Sequence, residues 1–115
     1  MDTNITRDVS PHNLTLCSVV KAELLYGAAN SNIAERTLLR LDTFFQAFTS
    51  LSFNDGAAAA CGNIRAELEE RGTPIGPNDL MIAAIALANG LTLVTHNRRE
   101  FERVATLKLE DWESA

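Results

Sequence analysis

The spacing of apolar positions changes along the chain, and the changes divide it into elements. Residues Asn13–Ser18 alternate and are rich in β-formers, which predicts a short strand. From Val19 to Ala29, the residues Val20, Leu24 and Leu25 keep helical spacing; Ser18 stands where it can cap this helix, and Gly27 weakens its end. A second helix is predicted over Ile33–Phe48, with Leu38, Leu41, Phe44, Phe45 and Phe48 along one face. Leu51–Phe53 read as a short strand. Asn54 or Asp55 then caps a third helix whose buried stripe is Ala57, Ala60, Cys61, Ile64 and Leu68, and Gly72 ends it. After the turn-rich loop Thr73–Asn78, Asp79 opens a fourth helix, Leu80–Ala88. It is apolar almost all round and is therefore expected to be deeply buried. Asn89 and Gly90 stop it. Leu91–Thr95 is expected to be a strand covered on both faces, Arg98–Val104 a short helix and Leu107–Leu109 a last strand.

Helices alternating with short apolar strands predict an α/β domain with a mostly parallel sheet. No repeat or linker divides residues 1–115, so one domain is expected. Sites in such sheets form outside the carboxyl ends of the strands, and that rule selects among the polar residues. Asp79 opens the apolar helix behind a Gly-Pro-Asn loop; it is either a helix cap or a functional carboxylate, and Asn78 beside it can cap equally well. Glu23 lies just past the first strand's end and is otherwise an ordinary solvated helix residue. Asn97 follows the buried strand in a short polar turn, where its amide oxygen can accept from a water. His96 reads as an exposed loop histidine, since no Cys, His or carboxylate stands at zinc-like spacing. Arg98, Arg99 and Arg103 either contact phosphates or pair with Glu100 and Glu102. Asp2 and His12 carry no signal by themselves.

Composition narrows the function classes. With 46% hydrophobic and 22% charged residues, the chain is globular rather than disordered. A net charge of −5 argues against holding nucleic acid by bulk electrostatics alone. It leaves a route to phosphate through metal ions and a few local arginines. Cys17 and Cys61 lie in apolar stretches without CxxC spacing and read as buried thiols of a reducing cytosol, with a disulfide left open. No apolar run approaches a membrane span, and a polar segment follows Met1 at once, so a soluble cytoplasmic protein is expected.

The motifs become specific in combination. Asp-Thr-Asn-Ile (2–5), the run from Leu16 to Ala28, Ile-Gly-Pro-Asn-Asp-Leu-Met-Ile-Ala-Ala (75–84), Leu-Val-Thr-His-Asn-Arg-Arg-Glu-Phe (93–101) and Leu-Glu-Asp-Trp (109–112) resemble, in order and spacing, the successive motifs of VapC toxins, which are PIN-domain ribonucleases. The resemblance covers nearly all of residues 13–112. It implies a three-layer α/β/α PIN-like fold and cleavage of RNA, such as tRNA or another structured RNA, with Mg²⁺ or Mn²⁺. It also implies a homodimer and a VapB-type antitoxin that binds and blocks the toxin. Asp2, Glu23 and Asp79 fall on the acidic metal-site positions. Asn97 falls where many relatives carry a fourth acid, and Ser18 and Thr95 fall on positions bordering the site, where with Arg98 and Arg99 they are candidate RNA contacts. Oxygen ligands of this kind suit Mg²⁺, which orients and acidifies a water and neutralises phosphate charge.

One departure stands out. The family's Asp-Thr-Asn motif ends an apolar central strand of about five residues, whereas only Met1 precedes Asp2 here and only Thr6–His12 lead to the next strand. The first strand is therefore expected to be missing, with most of the first helical region, and activity to be weak or lost. The rival to a toxin nuclease is a catalytically impaired remnant that binds antitoxin through the Leu38–Phe48 region; a DNA-cleaving PIN nuclease is a third reading.

Overall fold

A computed structural model describes residues 4–6 and 14–111 of the chain. The elements run β1 (Asn4–Thr6), β2 (Leu14–Cys17), α1 (Ser18–Ala29), α2 (Ala34–Gln46), β3 (Ser50–Leu51), α3 (Asp55–Glu70), α4 (Pro77–Ala88), β4 (Thr92–Val94), α5 (Arg98–Phe101) and β5 (Lys108–Glu110). Asp2 and His12 lie outside the described residues.

The sheet has the order β3-β2-β1-β4-β5. β2 pairs parallel with β3, and β4 pairs parallel with β5. β1 is antiparallel to both β2 and β4, so those two point the same way. Four strands thus share one direction, and only the central β1 runs against them. The place of the expected missing strand is held by these three residues, which the apolar pattern does not predict as a strand. The physical reason is the ladder: β2 and β4 would otherwise carry unpaired backbone groups in the middle of the sheet.

α4 is the centre of the core. Ile82, Ala83, Ala84, Ile85 and Ala86 are fully buried, as its all-round apolar sequence predicts. It packs on α3, on β4 and on α1, and fully buried Leu93 and Phe101 belong to the same cluster. Both α3 and α4 end on a glycine in the left-handed region, Gly72 (φ 72°) and Gly90 (φ 63°). Thr73 N–H reaches back to Leu68 O and Leu91 N–H to Ala86 O, each 2.9 Å, closing both helix ends in the same way. Asn54, not Asp55, caps α3, its Oδ1 accepting from Ala57 N–H at 3.0 Å.

The two-helix unit α1–α2 is looser. No residue of α2 is buried. Lys21 Nζ lies 5.0 Å from the centre of the Phe45 ring, and Phe44 and Phe48 pack at 5.0 Å between centroids. Phe48 itself falls beyond the helix, which ends at Gln46. Leu39 is 67% and Ile33 54% exposed, and both line an open groove of about 870 Å³. No helix of the described residues is long and apolar enough to cross a membrane.

Candidate functional site

Because β2 and β4 point the same way, the start of α1 and the turn after β4 lie on one edge of the sheet. Two expectations about capping change here. Ser18 does not cap α1: Cys17 holds the cap position, and Ser18 Oγ instead donates to Leu51 O at 3.1 Å, tying α1 to β3. Asp79 does not cap α4 either. Gly76 is the cap residue and Pro77 the first helical position, which suits its fixed φ and missing N–H. Asp79 is the third helical residue, and its carboxylate is turned toward other elements.

Asn97 is what it meets. Asn97 Nδ2 lies 3.1 Å from Asp79 Oδ2 and 3.1 Å from Glu100 Oε2, so one amide nitrogen bridges two carboxylates. The amide therefore presents its nitrogen to the site rather than the oxygen expected from sequence, because both neighbours are acceptors. Glu100 Oε1 in turn accepts from Gly76 N–H at 2.6 Å. Thr95 is only 2% exposed, and its Oγ1 accepts from Asn97 N–H at 3.0 Å. Thr95 thus shapes the turn that carries Asn97.

The electrostatics follow from this crowding. Burial, then the hydrogen bond and charge of Glu100, then the charge of Glu23, push the Asp79 carboxyl up to about 7, against the opposing donation from Asn97. Glu100 moves the other way. Its hydrogen bonds with Asp79, Gly76 N–H and Asn97, together with the positive charge of Arg103, hold it below the usual carboxylate range. The anion settles on Glu100 because Glu100 has more donors, and a proton between the two belongs to Asp79. Burial pushes the Cys17 thiol up, which marks it as a core side chain rather than a nucleophile. Both cysteines are free thiols, Cys17 buried and Cys61 half-buried.

Of the residues singled out in the sequence, the fold thus joins Asp79 and Asn97 directly and brings Glu23 within electrostatic reach. Glu23 lines a groove of about 580 Å³ between α1 and α4, with Ser18, Tyr26, Asn78 and Met81. Arg98 and Arg99 are exposed at the start of α5 and form no ion pair among the described residues. His96 has a carboxylate partner, its Nδ1 3.0 Å from Asp111 Oδ1. Glu100 is the residue that sequence reasoning missed as part of the site. The signal was present: it stands three residues after Asn97, on the same side of a helical turn.

A hard divalent cation is the group to test against this set. Among the described residues, no three His, Cys, Asp or Glu side chains are gathered tightly enough to hold an ion together. The crowded pair Asp79–Glu100, whose carboxylates offer only oxygen, does suit Mg²⁺ or Mn²⁺. Mg²⁺ commonly takes one or two carboxylates and keeps water for the rest of its shell.

A mostly parallel α/β sheet with paired carboxylates at its carboxyl edge is the class of protein these features define. The PIN-domain family model matches residues 3–107, and the chain belongs to that family, in its VapC branch. It is 46% identical over 99 residues to a Shigella flexneri protein named tRNA(fMet)-specific endonuclease VapC, covering 86% of this chain and 75% of that one. It is 41% identical over 105 residues to the Salmonella typhimurium protein of the same name, covering 91% and 80%. Among solved structures, DNA-bound VapBC from Salmonella typhimurium superposes with a TM-score of 0.80 at 45% identity, over 84% of this chain and 73% of that one. VapBC2 from Rickettsia felis, bound to a promoter DNA fragment, does so with 0.80 at 41% identity, over 85% and 74%.

Proposed function

We propose that this chain is the ribonuclease toxin of a toxin–antitoxin pair: an endonuclease that cuts RNA with Mg²⁺ or Mn²⁺ and is neutralised by a VapB-type antitoxin. The observation that carries the reading is the Asp79–Glu100 pair bridged by Asn97 at the carboxyl edge of the sheet, with Glu23 alongside. The names of the relatives point to the same chemistry and suggest tRNA as the substrate class.

Asp79 and Glu100 would hold the ion, with Glu23, and Asp2 by the family pattern, completing the acidic set. The ion supplies charge neutralisation at the phosphate and a more acidic water. The chain's own residues do the rest. Asn97 fixes the separation of the two carboxylates, and Thr95 fixes Asn97. Asp79, whose carboxyl is raised to about 7, would hold a cation beside Glu100 only in its deprotonated form. Arg98 and Arg99, exposed beside Asn97, position RNA through its phosphates without reading bases.

The exposed apolar residues of α1 and α2 fit the second half of the reading. Leu25, Tyr26, Ile33, Leu39 and Phe44 are more apolar surface than a lone helical pair leaves in water, and an antitoxin helix or a second copy of the chain covers such a face. The same face supports the alternative of a chain that binds antitoxin without cutting. Incubating total tRNA with the purified protein, in Mn²⁺ and in EDTA, separates the two. Metal-dependent cleavage that disappears in both Asp79→Asn and Glu23→Gln supports the nuclease; no cleavage together with tight antitoxin binding leaves only the alternative.

A further inference from the structure

Glu100 owes its position to more than its own helix turn. The loop between α3 and α4 is fastened to the α5 region at two points. Gly76 N–H donates to Glu100 Oε1 at 2.6 Å, and Arg103 Nη1 donates to Pro74 O at 2.8 Å. The two fastening side chains are three residues apart, joined by the Arg103 N–H to Glu100 O bond of 3.3 Å. Arg103 is itself held from behind: Arg71 Nη2, at the end of α3, donates to Arg103 O at 2.7 Å. The chain of contacts runs from the end of α3, through Arg103, to the loop that begins α4, and from there back to Glu100.

This arrangement answers a physical problem. Two carboxylates repel, and the short α5 alone gives Glu100 little rigidity. Cross-linking α5 to the start of α4 fixes the origin of Asp79 and the origin of Glu100 relative to each other. We infer that Arg103 is a positioning residue for the acidic site, holding the Pro74–Gly76 loop so that Glu100 faces Asp79; this rests on the reading of Asp79 and Glu100 as the cation-binding pair.

The sign of one effect separates positioning from simple charge. Arg103 is a cation near two carboxylates, so deleting its charge, taken alone, strengthens the attraction for Mn²⁺. Deleting a residue that orients a ligand weakens it, typically by roughly 10–100-fold. Mn²⁺ binding to the full chain is measured by titration calorimetry and by the Mn²⁺-induced rise in melting temperature, for Arg103→Met, Arg103→Lys and Glu100→Gln. The expected result is a loss of roughly tenfold or more in Mn²⁺ affinity for Arg103→Met. Its metal-free melting temperature should stay close to that of the parent, because the half-buried side chain makes a single hydrogen bond to the loop, to Pro74 O. Arg103→Lys, which keeps a cationic donor, should recover most of the affinity. Equal or tighter Mn²⁺ binding by Arg103→Met overturns the inference and leaves Arg103 as a nearby charge. A matching loss in Arg103→Lys with a lowered metal-free melting temperature overturns it too, marking a general loosening of the loop. Undiminished binding by Glu100→Gln sinks the underlying reading of the site, and the inference with it.

Discussion

Asp79 is three residues into α4, and that displacement from the cap position frees its carboxylate for the site. A consequence is pH dependence. In the unfolded chain Asp79 loses its proton around its ordinary value of 3.8; in the folded metal-free protein it keeps the proton until about 7. A raised carboxyl stabilises the fold below the lower value, and that contribution fades as pH rises through the upper one. Glu100, held low, stays ionised across this window and gives up its own contribution only in acid. The melting temperature in EDTA should therefore fall as pH rises from about 5 to about 7, and Asp79→Asn should flatten that fall. An equally steep decline in the variant would show that another group is responsible. At this scale the sequence was a partial guide. Asp79, Glu23 and Asn97 were legible because strand-to-helix exits gather polar groups. Glu100 was hidden among Arg98, Arg99 and Arg103, where surface pairing is the ordinary explanation for an acid. The orientation of the Asn97 amide depends on two carboxylates distant in sequence, and no local pattern encodes it.

Helices were more legible than strands. α4 declared itself through an apolar run too long for a strand, and Asn54 declared the start of α3. The shortest strand, β3, and the shortest helix, α5, shrank from the predicted spans because their ends depend on partners rather than on propensity. Ser18 failed as a cap for the same reason, its hydroxyl being claimed by β3. Two predictions belong to this scale. Ile82 is fully buried on α4, so Ile82→Ala should cost about 2–5 kcal/mol in denaturant unfolding. A loss under about 1 kcal/mol would mean that the site collapses around the gap. Leu39, largely exposed on α2, should behave in the opposite way. Leu39→Lys is expected to leave unfolding within about 0.5 kcal/mol of the parent while weakening association with the antitoxin or a second copy, read by analytical ultracentrifugation. Unaltered association in that variant would exclude the Leu39 face as the contact.

At the scale of the whole molecule, a sheet of otherwise parallel strands turns on a central strand of three residues. Its neighbours β2 and β4 are legible in the pattern of apolar positions, but neither β1 nor its direction is, since the same three residues satisfy a ladder in either sense. Ile5 faces Thr15 on one side and Leu93 on the other. Ile5→Pro removes a ladder donor from the middle of the sheet. It should lower stability by about 1 kcal/mol or more, seen as a drop of at least roughly 4 °C in melting temperature. An unshifted transition would show that the central ladder contributes little to holding the two halves together.

The same strand sets a timetable for folding. Its pairing with β2 joins near neighbours in sequence, a contact available before β4 has been synthesised. Its pairing with β4 matches Ile5 to Leu93, far apart in sequence. Closing so long a loop is slow, and contacts of this separation form late. During synthesis the half-sheet β1–β2–β3 must wait with one edge open until β4 and β5 arrive. Over that interval the nascent chain exposes an edge able to pair with other chains, and the speed of translation through the second half governs how long it does so.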